Sequence, residues 1–113
     1  MSPALQGKIR EAHPEVSFAA IGGKDQGMKH YKKTPEGEAE RLAVLSRFFG
    51  GAVRTSILSD RAALRISGAA RDDVLDALVC LATAYRIAGS TAIILPRGST
   101  PLDSKGLRME IVA

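Results

Sequence analysis

From Arg71 the chain runs to Ala88 without proline or glycine and then meets Gly89. Within that run Val74, Leu75, Leu78, Val79, Leu81, Ala82 and Tyr85 recur at helical spacing. The pattern predicts a helix from about Arg71 to about Ala88 with one buried face and Gly89 as its stop. Its opening also carries Asp72, Asp73 and Asp76, whose spacings of three and four let them share one part of the helix surface. Two readings follow. Carboxylates suit the positive end of a helix, and Asp72 suits the N-cap. Asp76 lies a turn deeper, beside the apolar stripe, where a bound cation would offset the repulsion within the cluster.

A chain of 113 residues allows one domain with a modest core. Hydrophobic content of 45% with 25% charged residues belongs to a globular protein rather than a disordered one. No apolar run approaches membrane-spanning length, and the first residues lack a signal-peptide pattern, so the default expectation is a cytoplasmic location. The single cysteine, Cys80, has no intrachain disulfide partner and reads as a small core residue. A net charge of +4 permits binding to polyanions without requiring it. The lack of tryptophan and the 4% aromatic content argue against a broad base-stacking surface.

The remaining elements follow from local signals. Lys8–Ala12 alternates and reads as a strand, placing Glu11 at its end, where functional carboxylates of α/β sheets often sit. A solvated charge is the other reading of Glu11. Pro14 and Glu15 open a short apolar helix that Gly22-Gly23 ends, and His13 reads as a capping or turn residue. Lys24–Lys33 is a loop. Its basic end holds Lys29, Tyr31, Lys32 and Lys33, which either contact phosphates, with Tyr31 available for stacking, or are simply solvated. Thr34, Pro35, Glu36 and Glu38 mark a helix start, Ala39, Leu42, Ala43, Leu45 and Phe49 its buried side, and Gly50-Gly51 its end. Glu36, Glu38 and Glu40 read as surface charges. Ile57, Leu58, Ala62, Leu64 and Ile66 suit an irregular helix broken at Ser67-Gly68. Ala92–Leu95 reads as a strand ended by Pro96, Gly98–Lys105 as a loop, and Gly106–Val112 as a terminal strand or extended tail in which Glu110 faces solvent or pairs with Arg108. There is no internal repeat, no phosphate-cradling glycine motif and no zinc-ligand spacing.

Four stretches in order carry a resemblance: Glu11–Phe18, Lys32–Gly37 with Glu40-Arg41-Leu42, Asp72–Leu78, and Gly106–Ile111. Together the chain resembles the DUF429 family of predicted nucleases with an RNase H-like fold, from about Glu11 to the C-terminus. The resemblance implies an α/β domain in which acidic residues gather around divalent metal, magnesium or manganese. In that reading Glu11 matches a strand acid, and Asp72, Asp73 and Asp76 match the helix acids. Glu11, Asp73 and Asp76 would then be catalytic, all four acids would bind metal, and Lys29, Tyr31, Lys32 and Lys33 would contact nucleic acid.

Family members carry a further N-terminal half with opening β-hairpins and the first catalytic aspartate, and this chain holds no such segment. Residues 1–113 are therefore expected to form one domain equivalent to the C-terminal half. The expected fold is helix-rich α/β, with about three main helices and a small sheet, a partial RNase H-like fold. Uncovered sheet edges imply association, as a homodimer or with a separately encoded N-terminal half. The functional expectation is a metal-dependent nuclease, or half of its active site, inactive as an isolated chain. The alternative is a non-catalytic oligomeric binding module in which the same acids act only as caps.

Overall fold

Three helices converge on one apolar centre. The computed structural model describes residues 1–24, 27–51, 53, 68 and 70–113. Helix α1 spans Pro14–Gly22, α2 spans Pro35–Phe49 and α3 spans Arg71–Ala88. Phe18 of α1, Leu42, Val44 and Leu45 of α2, and Leu75 and Val79 of α3 meet with Val53 in the core. Ile21, Met28, Phe49, Val74 and Leu78 pack around them. The expected irregular helix over Ile57, Leu58, Ala62, Leu64 and Ile66 lies outside the described residues, as does Ser67.

The helix boundaries follow the local chemistry. Pro14 and Pro35 stand in the first turns of α1 and α2, where a missing N–H costs nothing. Thr34 caps α2, its Oγ1 accepting from the Gly37 amide at 3.0 Å. Gly23 closes α1 in the left-handed region at φ +68°, which a side chain would resist. The N-cap of α3 is Ala70, so Asp72 lies inside the first turn and does not cap it.

The buried faces keep most of the expected residues, Leu42 and Leu45 on α2 and Leu75, Val79 and Ala82 on α3, but depart at their margins. On α2, Ala39 and Ala43 are exposed, while Arg41 and Val44 are buried. On α3, Leu81 is 47% and Tyr85 60% exposed, whereas Thr83 is buried. At 3.6 residues per turn Leu81 stands about 200° around from Val79, so the two cannot share a narrow core-facing stripe. Thr83 is accommodated because its hydroxyl meets Ser17 of α1 at 3.0 Å, so both buried hydroxyls are bonded.

The sheet is small. Strands β1 (Ile94–Leu95) and β2 (Ile111–Val112) pair antiparallel, with Ile94 opposite Val112 and Leu95 opposite Ile111. Ile93 and Ala113 extend the pairing by exchanging backbone hydrogen bonds. A bridge joins Leu102 to Arg108. The expected strand at Lys8–Ala12 does not form. A 3-10 turn at Leu5–Gly7 precedes it, and the segment meets β2 through one backbone bond, from the Val112 amide to the Glu11 carbonyl. Side chains hold it instead: Gln6 exchanges hydrogen bonds with the Arg108 backbone, and Arg10 reaches Glu110.

Candidate functional site

The site is built where the N-termini of α2 and α3 approach each other. Arg71, at the start of α3, holds Glu38 in the first turn of α2 through contacts of 2.6 and 3.0 Å. One turn into α3, the Asp76 carboxylate accepts from the Lys32 ammonium at 2.9 Å, and Asp72 lies 3.7 Å from the same nitrogen. The cation that the acidic pair calls for is thus an ammonium of the chain itself. The hydrogen bond to Asp76 comes first in raising the Lys32 pKa. Burial opposes it, and the nearby Asp76, Asp72 and Glu15 charges add to it.

Lys32 stands there because the loop before α2 is clamped from behind. Glu40 accepts from the Lys29 and His30 amides at 3.0 Å each, and from Lys24 Nζ at 3.0 Å. Burial penalises its charge, but the His30 amide, the Lys24 ammonium and the Lys29 amide outweigh that and hold the carboxyl down at about 2. Arg41 is 2% exposed. It grips Glu15 with two nitrogens, at 2.6 and 3.1 Å, and donates to the His30 and Gly37 carbonyls, both at 3.0 Å. Its guanidinium also lies 5.7 Å from the centre of the Phe18 ring. Gly37 completes the clamp: a Cβ at this position would collide with the Tyr31 carbonyl. The expectation that Glu40 is a surface charge is therefore corrected, since satisfied amides and an ammonium draw it inward. Neither Glu40 nor Arg41 stood out from composition or spacing. Their only signal was adjacency within one of the stretches that carry the family resemblance.

The structure brings only some of the expected site residues together. Asp72, Asp76 and Lys32 are together. Asp73 is exposed on the flank of α3. Glu11 is exposed and borders a different cavity, with Gln6, Arg10 and Leu95. Lys29, Tyr31 and Lys33 are exposed on the loop, with Tyr31 67% accessible. A cleft of about 610 Å³ runs alongside, lined by Lys32, Lys33, Thr34, Glu38, Arg71 and Asp72. Cys80, one turn beyond Asp76, is half-buried. Burial pushes its thiol up and the Asp76 carboxylate adds to this, so it is a poor nucleophile. Glu110 pairs with both Arg10 and Arg108 at 3.0 Å, in line with its expected role.

Among the described residues, no three or more His, Cys, Asp or Glu side chains gather to hold a metal ion. The Asp72–Asp76 pair alone still has the chemistry that magnesium takes, which is one or two hard carboxylates with the other positions left to water and substrate. Asp76 Oδ1 is buried and has no hydrogen-bond partner, an acceptor with capacity to spare. Lys32 competes for the same place.

A helix-rich α/β chain with a paired carboxylate–ammonium site is the class that this geometry defines. A family model described as a protein of unknown function (DUF429) matches residues 1–100, and the chain belongs to that family. The match takes in the first ten residues and stops short of Gly106–Ile111. No curated protein and no solved structure matches the chain. No helix among the described residues is long and apolar enough to cross a membrane.

Proposed function

We propose that this chain supplies part of a divalent-metal-dependent phosphodiesterase site of nuclease type, and is inactive by itself. The observation that carries the reading is the convergence of Asp72 and Asp76 on a single cation position, with Asp76 Oδ1 left unbonded. Asp72 and Asp76 would hold magnesium or manganese, which polarises a phosphate oxygen and acidifies a bound water. Lys33, exposed at the cleft, and Lys29, exposed on the loop that precedes it, would meet the phosphate backbone. Further carboxylates would come from a second chain, in keeping with an RNase H-like domain of which this is one portion.

A second reading is a binding module without chemistry. It is favoured by Lys32, which already neutralises the pair, and by Glu11, which lies apart. Purification of the tagged chain with the assembly it forms in its own cells separates the two. The first reading predicts manganese-dependent cleavage of a nucleic-acid substrate that is lost in Asp76→Asn. Cleavage that is absent, or unchanged by Asp76→Asn, supports the module.

A further inference from the structure

The cavity between α1 and the chain around β1 is separate from the carboxylate pair. It measures about 550 Å³, within the range of small-molecule sites. Val16, Ala19 and Ala20 of α1 form one apolar wall, and Ile93 and Leu95 another. Among the described residues, four charged side chains border it: Glu15, Lys24, Arg86 and Arg97. Two of these are already neutralised, Glu15 by Arg41 and Lys24 by Glu40. Among the described residues, Arg86 and Arg97 have no carboxylate partner.

Arg86 is the unusual one. Its Nη2 donates to the Thr91 carbonyl at 2.9 Å, but Nη1 is shut away from water and has no acceptor. A charged donor left in that condition is costly, and an incoming oxyanion relieves it. The guanidinium fork suits phosphate and carboxylate in particular. We propose that this cavity binds a small organic oxyanion, a ring-sized apolar body bearing a phosphate or a carboxylate. The body lies against Ala20 and Ile93. The oxyanion is shared by Arg97 and by Arg86, whose guanidinium turns toward the cavity to give Nη1 its missing acceptor.

The test is a methyl-resolved NMR titration of the full chain with phenyl phosphate and, separately, benzoate. Inorganic phosphate supplies the charge alone and benzyl alcohol the ring alone. The expected result is saturable shifts at the Ala20 and Ile93 methyls for at least one of the two ring-bearing anions, and the stronger of them identifies the preferred headgroup. Both controls bind more weakly. Arg97→Gln, an exposed position that leaves the fold intact, weakens binding roughly tenfold, the loss of one charge-assisted hydrogen bond. Arg86→Gln weakens it at least as much, and if that variant fails to fold, Arg97→Gln decides alone. Absence of saturable shifts at these methyls, benzyl alcohol binding as tightly as the anions, or unchanged affinity in Arg97→Gln would each overturn the proposal.

Discussion

Arg41 and Glu40 are adjacent in sequence and do complementary work on the loop that carries Lys32. Arg41 is buried with four of its N–H groups bonded. Replacing it by methionine strips the pair from Glu15 and leaves the His30 and Gly37 carbonyls short of a donor. The expected cost in urea unfolding is about 3 kcal/mol, typical of breaking a buried pair. A loss well under 1 kcal/mol would show that the clamp is dispensable. Glu40 gives a pH signature. Its carboxyl is held at about 2 against an ordinary 4.5, so its stabilising contribution is complete above about 4.5 and is lost as the pH falls toward 2. Wild type is therefore expected to exceed Glu40→Gln in stability at pH 6, and the two should converge near pH 2. Curves that stay parallel would contradict that assignment. Lys32 acts at the other end of the scale. Its raised value keeps its contribution intact below about 10.5, to be lost only as the pH climbs through the folded-state pKa.

Among the elements, α2 and α3 decide the site through their first turns. Gly37 is required by the close approach of the Tyr31 carbonyl. Gly37→Ala, which improves an ordinary helix, is here expected to cost about 2 kcal/mol or more, because backbone cannot yield as a side-chain tip can. It should also push Lys32 away from Asp76, read as a fall in the Lys32 pKa by NMR. A neutral or stabilising substitution would refute the packing argument. Much of this level was legible in sequence. Thr34-Pro35 and Gly89 set helix ends by local chemistry, and both stand where that chemistry puts them. The helix faces were less legible. Leu81 and Tyr85 are apolar but exposed, and Arg41 is charged but buried, because hydrophobicity alone does not record which guanidinium finds a carboxylate and two carbonyls. Lys8–Ala12 departs from the expected strand for a related reason. Alternation describes a segment's sides, whereas a ladder needs backbone partners, and Val112 supplies one bond where a strand needs several. The acids Asp72 and Asp76 could be paired from their spacing, but the lysine between them comes from a position 40 or more residues earlier, a relation that no local pattern encodes.

In the molecule as a whole, the helices and the two-stranded sheet of the described residues place a carboxylate pair at one edge and the Arg86–Arg97 cavity elsewhere. Asp72 and Asp76 define a cation position which Lys32 fills from within. Removing the internal cation should therefore open the position to an external one. The direct measurement is a calorimetric titration with manganese of wild type, Lys32→Met and Lys32→Met/Asp72→Asn/Asp76→Asn. Weak binding is expected of wild type, binding at least tenfold tighter of Lys32→Met, and loss of binding in the triple variant. If Lys32→Met binds manganese no better than wild type while remaining folded, the carboxylates serve only to anchor the lysine, and the claim fails.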